Sequence, residues 1–497
     1  MDKGFLGIDA GTQGLAVVFA DEQLRIIATG DGDYNMVPGQ SEGCYEQRPE
    51  DWVAALGTAM ADLRSKLSTE FEVLAIGISG QMHGEVLADA DGRCLSPARL
   101  WCDARNGEEG TELTQHLGVK MPKRITAARW LWTTRNRSEL AQQTAHVTTP
   151  AGWLANRLTG EWNLGIGDAS GMFPIDAASL NYDAGKLQQF ESIAGDQFPK
   201  LSTLLPNVCK AGEDGGRLNA AGAKLLGLAE GIPIAPAEGD QPAALAGSLI
   251  AEAGMVSVSF GTSVCANAVG DRPFEGVSQA VDHFCAVDGK PINMVFLRNG
   301  TTFMNTVVQM FVDSSGQDFG KLMKQVLDTE PDCGGVLAIP FMDDEPGLGV
   351  QQGGNAALVG IDQNNATAGN CIRAALTATI MNLKQGSEVL DQQGYPRSQI
   401  VLTGGLTRTP ELGQVLADIM QTPVSLPAGS DEGTALGAAL LASYRYETMQ
   451  NSDGQSWTQY IESLRKSRDE AASFKPNGDT TDSYADWQSN YKLKLSC

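Results

Sequence analysis

A chain that repeats itself at long range has few architectures open to it. Residues 4–12 read Gly-Phe-Leu-Gly-Ile-Asp-Ala-Gly-Thr, and 250 positions later residues 254–262 read Gly-Met-Val-Ser-Val-Ser-Phe-Gly-Thr. Each copy is a short apolar run that ends in Gly-Thr and is followed by a second apolar run, residues 15–19 and 264–269. This pattern predicts a β-hairpin with a small-residue turn, and two copies predict two related domains with one such turn each. At a glycine turn, backbone N–H groups can gather on a phosphate oxygen while a threonine hydroxyl adds a further donor. Gly11, Thr12, Gly261 and Thr262 are therefore candidate phosphate contacts. The copies differ chemically, because Asp9 in the first is Ser259 in the second. A carboxylate near a phosphate is repelled by about 1 kcal/mol at ~4 Å even in bulk water. Asp9 thus calls for a divalent cation, Mg2+, between the two.

At 497 residues the chain exceeds one comfortable hydrophobic core, which fits two domains. With 42% hydrophobic residues and no long apolar run, the sequence predicts a soluble globular protein without a membrane-spanning helix. The first twenty residues read as a hairpin rather than a leader, so cytoplasmic residence is expected. Nine scattered cysteines, without a CxxC pair, predict neither a disulfide framework nor a zinc site. A net charge of −24 with no basic run argues against nucleic acid as a partner. Binding of an anionic nucleotide then depends on loop N–H groups and a cation, not on a basic field.

The periodicities predict strands at residues 5–9, 15–19 and 25–29, a helix at about 49–67 with Pro49 near its start, and a buried strand at 73–79. A further strand, 85–89, returns from Gly80-Gln81-Met82-His83-Gly84. Residues 1–245 form the first domain, with a helical, turn-punctuated insertion at about 106–235. Residues 246–446 repeat the plan, with helices at 301–311, 366–393, 411–420 and 432–443 and a strand at 399–402. The polar segment 447–497 reads as a docked appendage with little to add to the core.

Asp240 lies in Ala237-Glu238-Gly239-Asp240-Gln241-Pro242, between a glycine that exposes backbone and a small-residue helix. It suits a helix N-cap and equally a general base that accepts a hydroxyl proton during phosphoryl transfer. In the 80–84 segment, Gln81 and His83 carry groups that both donate and accept, a plausible clamp for sugar hydroxyls, with Met82 between them. Asp103, in Trp101-Cys102-Asp103-Ala104-Arg105, offers a further polar group or an ion pair. Gly404-Gly405 after a buried strand, and Gly300 before a helix, are places where a flat base can lie against backbone, or ordinary punctuation.

Taken in order, these residues resemble the FGGY carbohydrate kinases of the actin, Hsp70 and hexokinase superfamily over about residues 3–445. The resemblance rests on Gly7-Ile8-Asp9-Ala10-Gly11-Thr12, Glu46 to Trp52, Ser79 to Gly84, Leu100 to Arg105 and Leu158-Thr159-Gly160. It continues through Asp168 to Gly171, Gly239-Asp240-Gln241, Ser259 to Ser263, Gly404-Gly405 and Glu432 to Ala439. It implies an α/β fold of two ribonuclease-H-like domains around a central cleft, and an ATP- and Mg2+-dependent sugar kinase. Asp240 would be the general base; Asp9, with Asp240, would serve magnesium. Gln81, Met82, His83, Asp103, Asp240 and Gln241 would meet the sugar. Gly11, Thr12, Gly261 and Thr262 would cradle phosphates, and Gly300, Gly404 and Gly405 would face the nucleoside. The Gln-Met-His-Gly element is similar to that of the xylulokinases, which implies D-xylulose as substrate. Another ketose, a heptulose or a pentitol stays open, as does a sugar-binding regulator without turnover. The sequence departs from the pattern at Ala16, where many relatives place Lys or Arg, at Gln241, where xylulokinases commonly have Asn, at residues 374–381, which lack the family's usual Glu-Gly, and in the loop 341–346. Many relatives are dimers, so a homodimer is compatible.

Overall fold

The first apolar run forms strand β1 (Asp2–Ala10), which turns back into β2 (Gly14–Asp21) and then β3 (Ile26–Asp33). The computed structural model describes residues 2–67, 70–427, 433–451, 454–467 and 470–495. In the first hairpin Ala10 pairs with Leu15, so Gly11 to Gly14 make the turn, and Asp9 lies opposite Ala16. Strand β4 (Phe71–Gly80) runs parallel to β1, with Ala10 beside Gly80, and β5 (Glu238–Gly239) runs parallel to β4. The resulting order is β5-β4-β1-β2-β3. Helix α1 (Pro49–Lys66) starts on proline, carries Glu50 and Asp51 in its first turn and Arg64 and Lys66 in its last, each sign complementing the helix dipole. It packs on β2 and β3 and buries Trp52, Leu56, Met60 and Leu63.

The second half rebuilds the same ladder. Strands β6 (Met255–Phe260), β7 (Val264–Val269), β8 (Val281–Cys285), β9 (Pro291–Leu297), β10 (Gln399–Gly404), β11 (Val424–Pro427) and β12 (Glu470–Phe474) form one sheet. Its order is β8-β9-β7-β6-β10-β11-β12. Phe260 pairs with Val264 around the turn Gly261 to Ser263, and Phe260 lies beside Gly404 as Ala10 lies beside Gly80. The duplication read from the hairpins therefore extends to the parallel strand next to each, which ends in glycine both times. Two α/β domains flank a central cleft.

Three features differ from the sequence reading. Residues 168–171, whose Asp-Ala-Ser-Gly sequence reads as one of the turns punctuating the insertion, belong instead to a fully buried helix, α2 (Ile166–Met172). Among the helices α3 (Asp240–Gly247), α4 (Thr302–Ser315), α5 (Ala368–Gln392) and α6 (Gly433–Gln450), the last was expected in the second domain. It packs instead on β1 and β4 of the first sheet and against α3; Glu432, its expected first residue, lies outside the described residues. Glycines permit this approach: a Cβ on Gly7 would sit 2.0 Å from the Ala435 carbonyl oxygen, and one on Gly77 would sit 1.8 Å from that of Ala438. Chain order thus places α6 in the second half, but packing places it on the first.

The tail is the third difference. Beyond helix α7 (Trp457–Ser467), β12 pairs antiparallel with β11 and extends the second sheet. Helix α8 (Thr481–Leu495) then buries Tyr484, Trp487 and Tyr491 in the second core. Their spacing of three and four residues puts them on one face of an otherwise polar helix, and average polarity conceals such a stripe. Tyr491 donates to Asn382 Oδ1 at 2.9 Å and Arg373 donates to the Tyr484 hydroxyl at 2.7 Å. Among the described residues no helix is long and apolar enough to cross a membrane, and the described cysteines are unpaired.

Candidate active site

Parallel strands deliver their C-terminal ends to one edge of a sheet, where side chains from distant segments meet. Asp9 near the end of β1, Gln81 to His83 just after β4 and Asp240 just after β5 come together in this way. Asp9 Oδ1 accepts the Ser79 hydroxyl at 2.9 Å. Burial pushes its carboxyl up to about 6, against the pull of that hydrogen bond. Asp240 stands at the first position of α3, where Gly239 serves as N-cap, so the capping role belongs to its neighbour. Burial first, and then the charge on Asp9, push Asp240 up to about 7, while the backbone N–H groups of Gln241 and Met82 favour its ionised form. An acceptor titrating near neutrality is suited to general-base work.

The first turn is held from behind by side chains. Tyr34 donates to the Gly11 carbonyl and lies 3.0 Å from that of Gly14; Gln47 Nε2 donates to the Thr12 carbonyl at 2.8 Å. With its carbonyls tied down, the turn is left to present N–H groups. Thr12 Oγ1 accepts from Trp101 Nε1 at 3.0 Å and donates to Gln81 Oε1 at 3.4 Å. Gln81 itself is fully buried and donates to Gln47 Oε1 at 2.9 Å, so its carboxamide orders the turn.

His83 has a left-handed backbone, φ 65°, uncommon for a residue with a side chain. Strain of this kind persists only where surroundings hold it, and here Arg129 Nη1 donates to the His83 carbonyl at 3.1 Å. The ring Nδ1 lies 3.0 Å from the Gly171 carbonyl oxygen and must be the donor. Burial and the nearby Arg124 charge push the imidazole down to about 3, so the ring is neutral at pH 7. A neutral ring with a proton on Nδ1 leaves Nε2 as an acceptor. A Cβ on Gly171 would approach Nδ1 to 2.8 Å, which accounts for glycine in α2.

Other site residues take less direct positions. Met82 is 3% exposed and packs in an apolar cluster with Leu245, Val269 and Phe284, joining the two halves; its backbone N–H serves Asp240. Asp103 is buried, and its carboxylate accepts the Tyr45 N–H at 2.9 Å and Arg105 Nη2 at 2.6 Å. That pair anchors the loop bearing Trp101, which is 42% exposed. Gln241 Oε1 accepts from Asn267 Nδ2 at 2.9 Å.

In the second half, Gly300 N–H donates to the Thr262 carbonyl at 2.9 Å and Thr301 Oγ1 to that of Gly261 at 2.9 Å. A Cβ on Gly300 would meet the Gly261 carbonyl oxygen at 2.6 Å. Its missing side chain therefore serves close packing against the second turn. Gly404, φ 76°, leaves the strand in a conformation natural to glycine. Gly404-Gly405 stand beside the 261–263 turn as Gly80-Gln81 stand beside the first.

Sequence reasoning missed the carboxyl groups beneath the base. Asp168 and Glu238 are buried, and burial followed by a neighbouring carboxylate holds each well above the carboxylate range. Asp168 Oδ2 accepts the Thr149 hydroxyl at 2.5 Å, and Glu238 Oε2 accepts the Asp168 N–H at 2.9 Å. Gly165, the N-cap of α2, and Gly167 within it lie against the Glu238 side chain, a juxtaposition that no short window of sequence displays. Arg124 and Lys120 also reach across the cleft to Asp282 on β8.

Residues 5–247 match the N-terminal domain, and residues 256–446 the C-terminal domain, of the FGGY family of carbohydrate kinases. The chain belongs to that family. This FGGY kinase is 28% identical over 456 residues to a xylulose kinase of Haemophilus influenzae, covering 88% of this chain and 90% of that protein. Its fold is similar to that of a xylulose kinase from Rhodospirillum rubrum, with TM-score 0.84 and 19% identity over 99% of this chain and 98% of that one. A gluconate kinase from Lactobacillus acidophilus gives TM-score 0.84 at 17% identity, over 100% and 98%. At these identities the two solved structures speak to fold alone. The FGGY kinase is an enzyme of ATP-dependent sugar phosphorylation.

Proposed function

We propose that the protein transfers the γ-phosphoryl group of ATP to a hydroxyl of a ketose, most similar to D-xylulose, giving the sugar 5-phosphate. The observation that carries this reading is Asp240 at the joint of the two domains, close to Asp9 and within a ring of polar groups suited to a sugar. The sugar hydroxyl oxygen bonds to the γ-phosphorus, the bond from that phosphorus to the β–γ bridging oxygen breaks, and the hydroxyl proton passes to Asp240. His83 Nε2 accepts from one sugar hydroxyl and Trp101 lies alongside. Gly11, Thr12, Gly261 and Thr262 meet the phosphates, and Gly404 and Gly405 the nucleoside, with Gly300 bracing the second turn. The relatives named xylulose kinase favour a ketose.

Among the described residues no cluster of three or more His, Cys, Asp or Glu side chains forms a metal cage. Asp9 and Asp240 are an oxygen-only pair, and magnesium commonly binds through one or two carboxylates plus waters and substrate phosphates. The donor set fits, with Asp9 as main holder; when bound, the ion neutralises phosphate charge.

The base form of Asp240 is the deprotonated one. Because its pKa is raised to about 7, kcat/KM is expected to fall as pH drops through that value, by about tenfold per unit below it. A profile flat from pH 8 to 5 would contradict the assignment. Substrate class is tested by coupled ADP release over pentuloses, hexuloses, heptuloses and polyols. Ketose-dependent release is expected; a response confined to polyols or aldonates, or sugar binding without release, would overturn the ketose kinase reading.

A further inference from the structure

Gln241 follows the base in the first turn of α3, yet its carboxamide is set from the other half of the molecule. Oε1 accepts from Asn267 Nδ2 at 2.9 Å, and Cys265 Sγ lies 3.8 Å from the same oxygen. Asn267 and Cys265 both belong to β7 of the second sheet. Asn267 is itself buried, and its own Oδ1 lies 3.9 Å from Cys265 Sγ. Gln241 is half-buried, and both of its contacts with these two side chains are made through Oε1 and not Nε2. A primary amide has one accepting end and one donating end. With Oε1 turned to Asn267, the amide is oriented so that its N–H groups are the end left to meet a ligand.

We propose that Asn267 is a positioning residue for the sugar. By engaging Oε1 it makes Gln241 a donor to a substrate oxygen next to the hydroxyl that Asp240 deprotonates. This deepens the kinase reading and rests on it. The pocket then has a defined polarity: Asp240 and His83 Nε2 accept, and Gln241 donates. Because Asn267 sits on the nucleotide-side sheet, the sugar contact is complete only when the halves stand as they do here. A mispositioned sugar contact weakens binding in ground state and transition state alike, so it shows in KM more than in kcat.

The test is Asn267→Asp in the full-length enzyme, with the ketose that wild type phosphorylates. A carboxylate cannot donate to Oε1, so the Gln241 amide turns over and presents an acceptor. Expected is a rise of about tenfold in sugar KM, with kcat within about threefold and nucleotide KM unchanged. In a Gln241→Ala background the same change is expected to add less than about twofold, since the contact it acts through is gone. An unchanged sugar KM, or an equal rise in the Gln241→Ala background, would overturn the proposal; the latter would mark a charge effect on Asp240. Asn267→Ala carries the same double-mutant cycle without a new charge if the first variant fails to fold, with a smaller rise expected. Wild type is assayed first: absence of sugar-dependent turnover there defeats the kinase reading, whereas turnover with unaltered variants defeats the role of Asn267 alone.

Discussion

Asp240→Asn is expected to bind nucleotide and ketose within about threefold of wild type while phosphorylating the sugar at least about 10²-fold more slowly. The amide is nearly isosteric and can still accept the N–H groups of Met82 and Gln241 that hold the carboxylate. What it loses is the ability to take the hydroxyl proton. The fold should not suffer, because burial and Asp9 already disfavour the ionised carboxylate in the native state, so neutralising the residue removes a cost. Calorimetric binding beside coupled ADP release separates the two quantities. Near-wild-type turnover in the variant would remove Asp240 from the mechanism.

Glu85→Ala is expected to lower stability by about 3–5 kcal/mol, read as a shift of the urea midpoint. Glu85 and Arg99 are both buried; Glu85 Oε2 accepts Arg99 Nε at 2.9 Å and Nη2 at 2.7 Å, and Glu85 Oε1 accepts the Thr133 hydroxyl at 3.0 Å. Arg99 lies over the Trp132 ring, 4.4 Å from its centroid, so it has no route to solvent when its partner is removed. The large effect is the desolvation of an unpaired guanidinium rather than the loss of one contact. The double change Glu85→Leu with Arg99→Met is expected to recover most of the loss, since neither charge is then left buried. A loss below about 1 kcal/mol for the single change would show that the arginine finds water. The pair also ties the strand before Trp101 to the strand after His83, through N–H to carbonyl bonds of 2.8 and 3.2 Å. Sugar affinity should therefore fall with stability.

How much of this was legible before the fold was known depended on range. The two hairpins are local, and alternation with a Gly-Thr turn was enough to place them to within a few residues. That Gly80 and Gly404 would lie beside those turns depends on parallel pairing across tens to more than a hundred residues, and no window of sequence carries it. Glycine is ambiguous for the same reason. Gly300 reads equally as room for a base and as room for backbone, and only packing against residues 261–263 decides which constraint the missing Cβ meets. Gly7 and Gly77 look like ordinary strand glycines until α6 arrives from the far end of the chain. Polar strand residues are harder still: Asn267 is unremarkable in β7 until Gln241 reaches it from the other domain. Asp168 reads in sequence only as part of a motif, because its importance comes from burial beside Asp240 and not from its neighbours in sequence. The tail was misjudged by averaging, since three aromatic residues on one face outweigh a polar composition.

The central claim is that one acid at the joint of two duplicated halves meets a sugar hydroxyl while the two Gly-Thr turns hold the nucleotide that supplies the phosphoryl group. A crystal structure with a non-hydrolysable ATP analogue, magnesium and a ketose bound tests it most directly. The account predicts phosphate oxygens within hydrogen-bond reach of the backbone at both residues 11–12 and residues 261–262, with one sugar hydroxyl on the Asp240 carboxylate. A nucleotide that touches neither turn, or a sugar bound away from Asp240, would contradict it.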